Sequence, residues 1–197
     1  VFKLPKDLII IDIETTGTNP NTSSIIQLGA VLFSKEGYLV DRTFSEYIVP
    51  YTNEWTEEAY KVHKIEYSYL KKNGLYLPEA LEAFSNWTLG FWTMRKETAK
   101  NYYLAQWSCG FDVSFLKEAY RKIGFEFPFH YRTFDIASIV RFELAKKGKL
   151  KIKSGESICA KELGIEVNGN KLHDALYDAQ LSGLMLEKII KENENNG

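Results

Sequence analysis

Leu8 to Gly17, LIIIDIETTG, constrains what this chain can fold into more than any other stretch. Its opening run, Leu8-Ile9-Ile10-Ile11, is continuously apolar and rich in β-branched residues. That composition predicts a strand covered on both faces, at the centre of a sheet. Two carboxylates then interrupt the run. Side chains alternate along a strand, so Asp12 and Glu14 share one face while Ile11 and Ile13 share the other. Like charges beside a buried strand repel each other and lose hydration. A divalent cation offsets both costs, because Mg²⁺ and Mn²⁺ are held by carboxylate oxygens. Thr15-Thr16-Gly17 add hydroxyls, backbone N–H groups and a flexible turn where a ligand can approach. Taken alone, the Asp-x-Glu pair is equally compatible with a solvated strand end.

The 197 residues suffice for one domain with a full core. A formal net charge of −1 gives no overall bias toward nucleic acid. It does not exclude a polyanionic substrate either, since carboxylates that sit on metals are not free negative surface. Cys109 and Cys159 form neither a metal-spaced cluster nor a disulfide framework, so a reducing cytoplasmic setting is expected. No apolar stretch reaches membrane-spanning length and no signal-peptide pattern opens the chain, so no membrane partner is expected. The first residue is Val1 rather than Met, as in a trimmed or excised segment.

After the opening strand, the turn-forming Thr18 to Ser24 leads into a second strand at Ile25 to Phe33. Lys35-Glu36-Gly37 predicts a tight turn into a third strand, Tyr38 to Val49, paired as an antiparallel hairpin. Helices are predicted over Thr56 to His63 and over Pro78 to Trp92. A strand at Asn101 to Ser108 precedes a helix from about Phe111 to Ile123. Further helices fit Thr133 to Lys147, Gly155 to Leu163 and about Asp174 to Lys191, before a polar tail. The pattern is an α/β domain with a mixed sheet. The basic run Lys146 to Lys153 reads as a solvated loop in preference to a phosphate contact. Trp55, Tyr60 and Tyr51 cluster where they could stack on bases, although most aromatics belong to the core.

Two more elements carry misplaced acids. Asp112, at the start of its helix, lies on the stripe of Phe115, Leu116, Ala119 and Ile123, the inward face. A first-turn acid can also simply favour the helix dipole. Asp178 falls on the stripe of Met185 and Ile189, again inward. His173, five positions earlier, is too far round a regular helix to share that face, which places it on the loop before the helix. A surface His with Asp174 as N-cap is the plainer alternative. Jointly, three elements that each turn an acid inward suggest a shared divalent-metal site. Two ions can stabilise the attacking and leaving oxygens of a phosphoryl displacement, and a nearby imidazole can deprotonate water at neutral pH.

In this order and spacing the motifs resemble the DEDDh 3′→5′ exonucleases. This is the RNase T-like group that includes the proofreading epsilon subunit of the bacterial replicative polymerase. DIETTG at Asp12 to Gly17 matches the first motif, Phe111-Asp112 with the following VSFL the second, and His173 with Asp178 the third, H-x-x-x-x-D. IIQLGAV, Val62-His63-Lys64-Ile65, Phe134-Asp135-Ile136 and Glu162-Leu163-Gly164-Ile165 extend the likeness over most of the chain.

The resemblance implies a ribonuclease H-like fold and two Mg²⁺ or Mn²⁺ ions. Asp12, Glu14 and Asp178 would hold the catalytic ion, Asp12 would bridge to the second, and Asp112 would support that one. His173 would be the general base. Thr15, Thr16 and Gly17 would contact the terminal nucleotide, flanked by Val62, His63 and Phe111. Asp135, which has no partner motif, reads as a structural helix start. On this reading residues 1–192 form one exonuclease domain and 193–197 a tail. The substrates would be 3′ ends of single-stranded DNA, with RNA as the second choice, and the products nucleoside 5′-monophosphates. A DNA polymerase is a candidate partner. The competing class is a non-catalytic nucleic-acid-binding or polymerase-docking module of the same fold, but that class has no need of all four acids and the His.

Three departures concern the nucleotide pocket. Ser108 stands where many members carry Asn, Gln27 replaces the commoner Glu of the second strand, and Lys64 replaces Gly.

Overall fold

The computed structural model describes residues 3–95, 102–108 and 110–195. Its strands are β1 (Leu8–Thr15), β2 (Ile25–Phe33), β3 (Leu39–Tyr47), β4 (Tyr103–Gln106) and β5 (Thr133–Asp135). The helices are α1 (Glu57–His63), α2 (Tyr67–Asn73), α3 (Leu77–Arg95), α4 (Phe111–Lys122), α5 (Ile136–Lys146), α6 (Glu156–Glu162) and α7 (Ala175–Asn195).

The apolar run takes the central place that its composition predicts. The sheet order is β3-β2-β1-β4-β5, with β1, β2 and β3 antiparallel and β1, β4 and β5 parallel. Ile9, Ile11 and Ile13 pack with Leu81 and Phe84 of α3 and Leu116 and Ala119 of α4. Leu8 and Ile10 pack on the other face with Val140 of α5 and Ala179, Met185 and Leu186 of α7. Asp12 and Glu14 continue the Leu8–Ile10 side, so the acidic end of β1 lies on the face that α7 covers.

Two local features bring that face together. Asp12 pairs with Gly29 and Glu14 with Gln27 across the β1–β2 ladder. A Cβ on Gly29 would lie 2.3 Å from the backbone of Ala175 and Leu176, so only glycine lets the start of α7 rest on the sheet here. On the other side, β1 pairs with β4 only from Leu8 to Ile10, and the acid-bearing end extends beyond that ladder.

Several boundaries differ from expectation. Thr133–Asp135, predicted as the start of a helix, forms the edge strand β5. Three residues have no periodicity of their own, and only tertiary pairing fixes them as a strand. Asp135 then starts α5 as expected, with Oδ1 accepting from the Ser138 N–H at 3.2 Å. Helix α2 is not among the predicted helices; only Leu70 of it is buried, so it carries no apolar stripe. β3 is shorter than predicted at both ends, and Ile48 instead bridges Leu75. Helix α7 runs to Asn195, past the expected end near Lys191. Asn101 and Cys109 lie outside the described residues. Among the described residues, no helix is long and apolar enough to cross a membrane.

Candidate active site

The acidic end of β1 meets the start of α4 from one side and the turn before α7 from the other. Glu14 is 8% exposed and Asp12 half-buried. Beyond the β4 ladder the Ile13 N–H has no strand partner, and Asp112 Oδ1 accepts it at 3.2 Å. Gln106 of β4 secures that helix start, its Oε1 accepting the Val113 N–H at 3.0 Å. Asp112 therefore faces inward, as its stripe predicts, and bonds to the central strand.

His173 lies in the turn before α7, as its spacing from Asp178 predicts. It is exposed and has a left-handed backbone, φ 65°. Asp178 Oδ2 accepts the His173 N–H at 2.9 Å, whereas the buried Asp178 Oδ1 has no hydrogen-bond partner. Asp174 also acts as the cap of the plainer reading, its Oδ1 accepting the Tyr177 N–H at 3.0 Å. Capping and a metal-site geometry coexist in this turn.

Ligand atoms of Glu14, His173 and Asp178 all lie within 4.8 Å of one another. An unpartnered carboxylate oxygen beside a second carboxylate and an imidazole is a donor set suited to a divalent cation. The imidazole is near enough to serve as a ligand as well as a base. Electrostatics point the same way. Burial first, then the charges of Asp112, Glu14, Glu156 and Asp178, hold Asp12 well above the usual carboxylate range. Burial likewise pushes Glu14 to about 8, Asp112 to about 7 and Asp178 to about 6. Such a cluster is costly as anions without a counter-cation.

Glu156 is a fifth acid of this cluster, one that sequence reasoning misses. It opens α6, its Oε1 accepts the Ser182 hydroxyl at 2.6 Å, and burial with Asp178 and Asp112 pushes it to about 8. An acid in the first turn of a helix is an ordinary dipole-favoured residue, so no local signal sets it apart.

Beside the acids is a cavity of about 280 Å³ whose lining includes Glu14, Thr15, Gly17, Val62, His63 and Phe111. Five of the six expected nucleotide contacts therefore border one space. Thr16 does not. It is fully buried, and its Oγ1 accepts the Ser24 N–H at 2.8 Å. Thr15 Oγ1 is also engaged, donating to the Gly17 carbonyl at 2.7 Å. His63 Nδ1 accepts the Ile65 N–H at 2.9 Å, and burial lowers its pKa to about 4. The ring is thus neutral with its proton on Nε2, a buried donor without a partner. Thr56 and Glu58 complete the rim from α1 and its cap.

Trp55 and Tyr60 cluster with His63 and Tyr67 as edge and tilted ring pairs, but Tyr51 stands apart. Its hydroxyl accepts the Ile25 N–H at 3.0 Å, so it braces β2. Lys64 has φ 56° at the end of α1, a left-handed position that explains the glycine of the resembling family. The run Lys146 to Lys153 reads as a solvated face: Lys146 and Lys147 pair with Glu143, and Lys151 with Glu162.

Residues 9–186 match the RNase T exonuclease family. The chain is 25% identical to ribonuclease T of Salmonella typhimurium over 195 residues, covering 92% of this chain and 83% of the relative. It is 26% identical to ribonuclease T of Shewanella denitrificans, at 92% and 79% coverage. The nuclease domain of 3′hExo, a DEDDh family member solved bound to rAMP, superposes with a TM-score of 0.74 at 18% identity, covering 98% and 95% of the two chains. Cell-death related nuclease 4 gives 0.78 at 16% identity; the chain covers 64% of that protein, and 95% of its own length aligns. With the motif residues gathered at one end of a mixed sheet, the match over nearly the whole chain is decisive: this chain belongs to the RNase T exonuclease family, as a 3′→5′ exonuclease of the DEDDh type.

Proposed function

We propose that residues 1–192 form one exonuclease domain that releases nucleoside 5′-monophosphates from single-stranded 3′ ends of DNA or RNA. Asp12, Glu14 and Asp178 would hold one Mg²⁺ or Mn²⁺ ion, and Asp12 with Asp112 a second. When bound, such a pair supplies positive charge at the attacking and leaving oxygens of phosphoryl transfer. The observation that carries this reading is the buried, unpartnered Asp178 Oδ1 beside Glu14 and the exposed His173.

The chain's own residues do the rest. His173, on a turn open to solvent, accepts the proton of the attacking water as general base. The neutral His63 offers its Nε2–H to the terminal nucleotide. Val62 and Phe111, both exposed, give the sugar and base an apolar wall. Thr15 and Gly17 shape the floor through a turn whose hydroxyl is already bonded, so they recognise the substrate through backbone. Kinship to ribonuclease T and to a nuclease solved with rAMP supports RNA as a substrate alongside DNA.

The test is a cleavage assay on single-stranded and 3′-overhang oligonucleotides, DNA and RNA in parallel, with Mg²⁺ or Mn²⁺ against chelator. We expect stepwise shortening from the 3′ end that chelator abolishes. His173→Ala should slow it by roughly 10²–10⁴-fold, the usual range for losing a general base. Shortening that persists in chelator, or an unaffected His173→Ala, would overturn the mechanism.

A further inference from the structure

Gln27 is 1% exposed on β2, opposite Glu14, and its amide is spent entirely on the turn that carries His173. Nε2 donates to Asp174 Oδ2 at 3.0 Å, and Oε1 accepts the Ala175 N–H at 3.2 Å. Asp174 Oδ1 meanwhile accepts the Tyr177 N–H, so each heavy atom of both side-chain ends has a partner. On the other side of His173, Asp178 accepts its N–H. Left-handed backbone at a non-glycine residue is strained and persists only where surroundings hold it. His173, at φ 65°, is such a residue, and these contacts bracket it.

We infer that Gln27 and Asp174 are positioning residues, a clamp anchored on a buried glutamine that sets where the His173 imidazole stands relative to the carboxylates. The inference rests on His173 acting as proposed above. Donor and acceptor parity makes the pair specific. Gln27→Glu keeps an acceptor for the Ala175 N–H but turns a carboxylate on Asp174. Asp174→Asn keeps the cap on Tyr177 but turns its NH₂ on the Gln27 NH₂. Exchanging both restores complementarity with no change in net charge: the carboxylate, now on β2, accepts from Ala175 and from the amide, now on the turn.

The experiment compares Gln27→Glu, Asp174→Asn, the double variant and Gln27→Leu in the full chain. Each single change should lower kcat by ~10–100-fold, the range for groups that orient a site residue, with KM for the oligonucleotide moving far less. The double variant should regain most of the loss. In parallel, the His173 ring resonances are followed by NMR without substrate. They should shift in each single variant and return in the double. A double variant no better than the product of the singles, with ring resonances that do not return, would overturn the clamp. If the unaltered chain shortens no substrate, the proposed activity fails, and the resonance cycle alone still decides whether Gln27 and Asp174 position His173.

Discussion

The helices α4 and α7 approach the acidic end of β1 from opposite faces of the sheet, and their starts are held alike. A buried glutamine on a strand flanking β1 accepts a first-turn N–H in each case: Gln106 from Val113, Gln27 from Ala175. Glutamine suits this place because it satisfies an orphan helix N–H without adding charge to a crowded carboxylate site. The acids that the helices deliver differ. Asp112 is bonded to the Ile13 N–H of the central strand, so the α4 side is tied into the protein. Asp178 is bonded to its own turn and keeps one buried oxygen unpartnered, beside an exposed histidine. One acid is braced against the central strand through one of its oxygens, and the other keeps a buried oxygen open for an ion.

The largest test of that contrast is to neutralise each acid in turn. Asp178→Asn and Asp112→Asn should both reduce exonuclease activity to background. Titration calorimetry with Mn²⁺ should separate them. Asp178→Asn removes the open oxygen of the first ion's site and should cost the most ion binding, whereas Asp112→Asn keeps an acceptor for Ile13 and weakens only the site of the second ion. Equal loss of ion binding in the two would mean that α4 supports the metal as directly as α7 does.

The pH dependence of stability comes next. An unperturbed carboxyl ionises near pH ~4 in the unfolded chain. In the folded chain Asp178 is raised to about 6, Asp112 to about 7 and Glu14 to about 8, each chiefly by burial. The unfolded state therefore loses these protons first. The stability they contribute is full below about pH 4 and is lost progressively as pH rises toward about 8. With chelator, the melting temperature should fall across that window, and less steeply in Glu14→Gln, which lacks the most strongly raised of the three. Added Mg²⁺ should flatten the fall. A metal-free protein whose stability rises over the same window would contradict the assigned electrostatics.

Much of this is legible in the sequence, for reasons that particular residues make clear. Leu8–Ile11 announces a central strand because burial on both faces selects uninterrupted β-branched residues. Asp12, Glu14, Asp112 and Asp178 stand out because each breaks an apolar pattern that local structure sets. Glu156 does not, since the start of α6 is a natural place for an acid and only the packing of α6 on α7 turns it toward the cluster. Gln27 is visible as a departure from the family, but its partner lies 147 residues away and no local spacing joins them. Thr16 reads as a ligand-facing hydroxyl from sequence, whereas its contact with Ser24 closes the turn. Local patterns report what a residue resists, and long-range pairing decides what it touches.

A more moderate change probes the glutamines. Gln106→Leu strands the buried Val113 N–H, a defect worth roughly 1–3 kcal/mol. Because Asp112 stays tied to Ile13, kcat in the surviving folded protein should fall less than in Gln27→Leu, where the histidine turn loses two contacts. Chemical denaturation and steady-state kinetics on both variants decide it. A larger kcat loss at Gln106 would place the delicate side of the site at α4.

The smallest effect is expected at Glu156, which belongs to none of the three motifs yet feels the charges of Asp178 and Asp112. Its Oε1 accepts the Ser182 hydroxyl, one turn beyond Asp178 on α7, and a glutamine oxygen can do the same. Glu156→Gln should therefore leave the packing of α6 on α7 intact and remove only a charge from beside Asp12, Asp112 and Asp178. Without metal, the variant should melt higher than the parent near pH 8, where Glu156 ionises, and equally near pH 4. With metal, it should need a few-fold more Mg²⁺ for half-maximal activity and reach nearly the same kcat, because one negative charge fewer attracts the cations. If instead kcat collapses at saturating Mg²⁺, Glu156 is a direct ligand, and the site draws its acids from three helices and a strand.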